Sequence, residues 1–305
     1  MTLETIREML EAPFMQRAFV VAILVGVSAP AVGTYLVQRG MALMGDGIGH
    51  VALTGVAGGW LAASVFGLDP KDSLAIPGAI AASVVGAVLI EVVRAQGRTG
   101  GDVALAMLFY GGIALGVIII SLAGGNTEKL TSYLFGSIAT VSPHEVLYTA
   151  VLSAFVLLFG LGLRGPLFSL SHDEDFAKAC GLRVRTLNIL VAVVPALTVS
   201  VAMRVVGVLL VSAIMIVPVA IAQLLSSSFN KTMGIAMGLG VLACVVGLAT
   251  TYFVRLAPGA TIVTLLIGTY TIVATGRSVL ALCIRRRPKK AVTWDEHETQ
   301  PSARR

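Results

Sequence analysis

AFVVAILVGVSAPAVGTYLVQ (18–38) runs its whole length without a charged side chain. A helix needs about 20 mostly apolar residues to cross the hydrocarbon core of a bilayer. This block meets that length, and similar blocks recur at 47–68, 74–90, 103–123, 146–163, 187–203, 205–225, 233–254 and 260–284. The chain is therefore expected to be all-α, a polytopic transmembrane helix bundle of about eight or nine spans. Two spans, 187–203 and 205–225, touch at Arg204. Segment 131–142 (TSYLFGSIATVS) is too short to cross and reads as re-entrant or interfacial.

Composition agrees with a bilayer solvent. Hydrophobic residues make up 56% of the 305 and charged residues 12%, about half the charged fraction of a soluble domain. The mean hydropathy is +0.91. Glycine numbers 33 and aromatics are only 6%, which suits closely packed membrane helices. The net charge of +6 comes from loops and the C-terminal end rather than from a stripe on a soluble face, so no nucleic-acid partner is implied. Cys180, Cys244 and Cys283 lack CxxC spacing and argue against a disulfide framework or a zinc knuckle. No removable signal peptide is evident.

The domain reading is simple. Residues 1–17 place Leu3, Ile6, Met9 and Leu10 on one helical face, an interfacial amphipathic segment or a frayed terminus. Residues 18–284 form the membrane domain, interrupted by a charged loop at 164–186. Residues 285–305 read as a disordered tail; His297 there is solvated. The basic clusters RRRPKK (285–290), Arg164 to Arg185, and Arg94 with Arg98 fall on one face, together with Arg39 and Lys231. Assigning that face to the cytoplasm puts the C-terminus inside.

Polar residues inside spans are expensive and each needs a reason. The clearest case is GDGIGH (45–50). Asp46 and His50 are spaced i, i+4, which places a carboxylate and an imidazole on one helical face. One oxygen and one nitrogen ligand suit Zn²⁺, Mn²⁺ or Fe²⁺ rather than an alkali ion. The alternative is that Asp46 caps a helix and His50 is a satisfied polar residue; both readings can hold together. A resting site wants about four ligands, and an incomplete one suits a pathway that must release its ion. Glu91 with Arg94 reads as an i, i+3 pair or a snorkelling end. His144 reads as interfacial, Asn188 and Gln223 as interhelical hydrogen bonders, Pro30, Pro195 and Pro218 as kinks, and Met203, Met215 and Met237 as packing.

SHDEDFAKACGLRVRT (171–186) contains a second signal. Asp173, Glu174 and Asp175 precede Phe176 and Ala177, and Gly181 follows. That order predicts a short helix over 173–180. On a cytoplasmic face it is either a docking helix or a plain connector. Absent motifs also count. The chain has no P-loop, HExxH or GxSxG, so it carries no signature of ATP binding, proteolysis or ester hydrolysis.

Together these segments resemble the ABC-3 family of metal-transporter permeases, over about residues 13–284. PFMQRAF (13–19), VQRGMALMGDGIGHVALTGVA (37–57), YLFGSIATVS (133–142), DEDFAKACGL (173–182), VVGVLLVSAIMIVPVAIA (205–222) and PGATIV (258–263) carry the likeness in the family's order. Arg39-Gly40-Met41 departs from the paired arginines of many members, a change in loop charge. The resemblance implies a type II ABC importer permease-like fold in a bacterial cytoplasmic membrane. It implies a partner set of a second permease copy (a homodimer), cytosolic ATP-binding subunits and an extracytoplasmic metal-binding protein. It implies that Asp46 and His50 face the translocation pathway of a divalent metal, zinc first and then manganese or iron, with no stably bound cofactor. It implies that 173–182 docks on the ATPase. The rival reading is a secondary transporter driven by an ion gradient, for which an internal repeat would be expected; none is evident.

Overall fold

The computed structural model describes residues 3–68, 71–96, 101–122, 131, 133–136, 142–203, 206–254 and 256–285. The expected tail with His297, residue Arg98 and Arg204 lie outside them. Helix α1 (Leu3–Glu11) precedes α2 (Pro13–Gln38), α3 (Met44–Val65), α4 (Ala75–Ala95) and α5 (Gly101–Leu122). Then come α6 (Pro143–Gly162), α7 (Arg164–His172), α8 (Glu174–Ala179), α9 (Val184–Ala202), α10 (Val208–Leu225), α11 (Phe229–Phe253) and α12 (Pro258–Arg285). The described residues contain no strand. The protein is an all-α, multi-pass membrane bundle.

Local chemistry sets the ends. The first span starts at Pro13 rather than residue 18, because proline at the first helical position sacrifices no hydrogen bond. Ser142 and Glu145 form a reciprocal capping box ahead of α6, with Pro143 at its first turn. His144 is exposed there.

Among the described residues, seven helices are long and apolar enough to cross a membrane: α2 to α6, α11 and α12. The two further apolar helices expected to cross, α9 (19 residues) and α10 (18 residues), follow one another in the chain but pack on different neighbours, α9 mainly on α4 and α10 mainly on α2 and α12. Met203 and Val206, on either side of the junction, are fully buried. Gly207 adopts φ +91° there, and a Cβ on it would overlap the Leu134 carbonyl. A Cβ on Gly259 of α12 would likewise strike the Val206 carbonyl. The short segment around 133–136 thus lies against the start of α10, and Tyr133 meets Trp60 edge-on with ring centroids 5.4 Å apart.

Elsewhere the helices touch through small residues, since apolar burial alone gives little drive between helices in lipid. Helices α3 and α4 pack through Gly55 and Gly78, each occupying the space a Cβ on the other would need. Ser83 of α4 and Ser200 of α9 share a buried hydrogen bond of 2.8 Å. The methionines expected to pack do so: Met203 and Met215 are fully buried.

Candidate metal pathway

The turn that opens α3 is held from two sides. Gly45 and Gly49 face α10: a Cβ on Gly45 would just touch Met215 and Ser212, and one on Gly49 would crowd Val208. Gly112 of α5 lies against the His50 backbone, and Thr54 Oγ1 donates to the Gly112 carbonyl at 2.6 Å. Asp46 and His50 therefore sit where α3, α5 and α10 meet.

Asp46 does not cap the helix. Leu43 is at the cap position, and no side chain bonds the first N–H groups there. Instead the Ser212 hydroxyl donates to Asp46 Oδ1 at 2.8 Å. The half-buried carboxylate lines a cavity of about 250 Å³ with Leu43, Leu105, Ala106, Phe109 and Tyr110. Leu43 and Tyr110 are more than two-thirds exposed, so the cavity opens on the α5 flank. His50 lies one turn further along α3 and is 7% exposed. Its ring meets Phe109 edge-on, with centroids 4.5 Å apart. His50 Nδ1 is buried with no hydrogen-bond partner among the described residues. The reading of His50 as a fully satisfied polar residue is thereby corrected. Among the described residues, no three His, Cys, Asp or Glu side chains gather to hold a metal.

Two further cavities continue from this point. One of about 340 Å³ shares Leu43 and Leu105 with the first and is bordered by Arg39, Met41 and Arg94. The next, about 550 Å³, shares Arg94 and reaches Glu91, Glu174, Lys178 and Asn188.

Helix α8 lies at that far end. Asp173 caps it, accepting from the Asp175 and Phe176 N–H groups at 2.9 and 3.0 Å. Gly181, with φ +75°, closes the turn that follows. Ala177 is buried against α7 and the core, while Asp175 and Phe176 project outward. Glu174 turns inward, toward Lys178 at 3.2 Å and Arg39 at 3.8 Å. Hydrogen bonds to Asp175 and then Glu174 raise the Lys178 ammonium pKa.

Ser212 and Phe109 were not singled out from sequence, and Arg39 was read there only as a loop charge. Ser212 had a usable signal, a hydroxyl within the apolar run VLLVSAIMIV. Phe109 had none, because an aromatic in a span is ordinary.

A multi-helix bundle whose polar groups converge on cavities, with no hydrolytic motif, is the architecture of a transport permease. The model of the ABC 3 transport family matches residues 11–276, and the chain belongs to that family. It is the membrane permease of an ABC metal importer, not an ATP-hydrolysing subunit. Among its relatives is a manganese import system permease protein, ScaB, of Streptococcus parasanguinis. The two are 34% identical over 82% of this chain and 86% of the relative. A manganese transport system membrane protein, MntC, of Halalkalibacterium halodurans is 31% identical over 84% and 85%. The solved PsaBC from Streptococcus pneumoniae, in complex with Fab, superposes with a TM-score of 0.78 at 32% identity, covering 90% of this chain and 95% of that one.

Proposed function

We propose that this chain translocates a divalent metal ion past Asp46 and His50, with manganese as the preferred cargo. The observation that carries this is the Asp46 carboxylate: it is not spent on capping, and it lines a cavity within an apolar bundle. One turn on, His50 keeps an unpartnered ring nitrogen. A carboxylate and an imidazole without thiolate suit Mn²⁺ as well as Zn²⁺. The sequence expectation put zinc first; the names of the relatives favour manganese.

Two ligands are too few for a bound dication. A second copy across a twofold axis would supply its own pair, giving two carboxylates and two imidazoles. The exposed α5 residues Met107 and Tyr110, beside the cavity mouth, fit that contact. Helix α8 then faces the cytoplasm and offers Asp175 and Phe176 to an ATP-binding subunit; this assignment also places the C-terminus inside. A metal-binding protein delivers the ion from the opposite side. Alternating access, driven by ATP hydrolysis in the partner, moves the ion inward.

The test is radioactive manganese uptake by proteoliposomes holding the permease, its ATPase and its binding protein. Uptake should require ATP and be competed less by zinc than by cold manganese. Uptake that persists without ATP, or that Asp46→Ala and His50→Ala leave intact, overturns the reading.

A further inference from the structure

Sequence treats Arg39 as a loop charge, but the fold buries it. It follows the last residue of α2, and only 6% of its side chain is exposed. Nη2 donates to Asn188 Oδ1 of α9 at 2.9 Å. The same nitrogen stands 3.8 Å from Glu174 Oε2 of α8, a gap that a bridging water or a small shift closes. Helix α4 brings two more charges: Glu91, 7% exposed, and Arg94, whose Nη1 is 3.7 Å from Glu91 Oε2. Arg94 also donates to Met41 Sδ in the α2–α3 turn, at 2.9 Å. Four helices thus meet at Arg39, Arg94, Glu91 and Glu174, with Lys178 of α8 closing on Glu174 Oε1 at 3.2 Å.

This cluster is only half satisfied. Arg39 Nη1 and Glu91 Oε2 are both buried with no hydrogen-bond partner among the described residues. A buried charge network with open valences is costly, because each unpaired group keeps its desolvation penalty. It has more than one way to pair, since Glu174 stands 3.8 Å from Arg39 and Glu91 lies near enough for its charge to act on the Arg39 guanidinium. Burial, then the Arg94 charge, lowers the Arg39 pKa, and Glu91 and Glu174 oppose that shift. Such a network behaves as a two-state element. A simple metal exit station is disfavoured here, because two guanidinium groups would repel a dication.

The link from Arg39 to the pathway has little slack. The Arg39 N–H bonds Tyr35 O, Met41 N–H bonds Leu36 O, Met44 N–H bonds Met41 O, and Gly47 N–H bonds Leu43 O, all at 2.9–3.2 Å. Asp46 lies within that last turn. Glu174 sits on α8 beside Asp175 and Phe176, the residues that project from the bundle. We infer that Arg39 is a positioning residue that transmits displacement of α8 to the turn bearing Asp46, by exchanging its partners among Glu174, Asn188 and Glu91.

This inference rests on the proposed metal-permease function, and the experiment separates the two. The complete transporter is reconstituted with its ATPase and binding protein, and manganese uptake and ATP hydrolysis are read together. If the wild-type transporter shows no ATP-driven uptake, the proposed function fails. With wild-type uptake present, Arg39→Gln should lower ions moved per ATP by about tenfold. Assembly and hydrolysis rate should stay within about twofold of wild type. Arg39→Lys, which keeps charge but loses the guanidinium fork, should fall between. Exchanging the charges, Arg39→Glu with Glu174→Arg, should recover at least about half of the lost ratio. An unchanged ratio in Arg39→Gln overturns the inference. So does loss of assembly in both single variants, which marks a purely structural role, or a charge exchange that recovers nothing.

Discussion

Asp46 and Asp173 are both aspartates in the opening turn of a helix, and the molecule uses them in opposite ways. Asp173 stands at the cap position of α8 and gives one oxygen to two N–H groups of its own helix. Asp46 stands inside the first turn of α3, bonds no N–H there, and instead faces Ser212 and a cavity. A capping carboxylate is consumed locally and is worth about 1 kcal/mol. An uncapped one within an apolar bundle must have another partner, or it would be an unrepaid desolvation cost. The contrast separates an acid spent on its own helix from one that lines a cavity, and the proposed pathway rests on the second.

The sharpest way to break the comparison is serine, which caps helices but is a poor metal ligand. Asp46→Ser should abolish manganese uptake, by about 100-fold or more, the upper end of what loss of a ligand's supporting partner costs. Detergent-extracted yield and helicity should be unchanged. His50→Gln should behave alike. If Asp46→Ser transports normally, Asp46 is a structural polar residue after all and resembles Asp173.

Ser212 sharpens the comparison from the other side. Its hydroxyl is the hydrogen-bond donor to the Asp46 side chain. Ser212→Ala should weaken half-saturating manganese by about tenfold and leave maximal uptake nearly constant, as expected for a residue that orients a ligand. A matching loss in maximal rate with unchanged half-saturation would remove Ser212 from the site.

Much of this was legible beforehand, and the limits have physical causes. The apolar blocks announced the helices because the bilayer imposes length and composition on every span. The α8 start and stop signals, Asp173 and Gly181, are local chemistry, so they could be read directly. The packing beside the α9–α10 junction was not legible. Hydropathy reports that a residue avoids water but not whether lipid or protein surrounds it, so it could not tell that Met203 and Val206 are buried against protein. Asp46 was ambiguous for the same reason that Asp173 was not. A cap is decided by one residue's register, and sequence placed the α3 start within a few residues only. Arg39 was misjudged because burial of a charge depends on what α4, α8 and α9 bring to it, and those helices are remote in sequence.

The mildest perturbations test the α8 half of the contrast. Asp173→Ala removes the cap and should loosen α8 by about 1 kcal/mol, lowering ATPase affinity about fivefold. Asp173→Ser restores a cap and should return affinity to wild type, the reverse of what serine does at residue 46. Lys178→Gln is expected to do least. Its ion pairs to Glu174 and Asp175 are solvent-exposed, and water screens such pairs. Because partner carboxylates hold the Lys178 pKa above its ordinary value, its charge is present throughout the neutral range. Raising the pH from 6 to 8 should therefore leave the α8–ATPase affinity of both Lys178→Gln and wild type unchanged relative to each other. A pH-dependent gap between the two would show that Lys178 meets a partner group that the isolated helix does not reveal, and would move it from the α8 surface into the docking contact with Asp175 and Phe176.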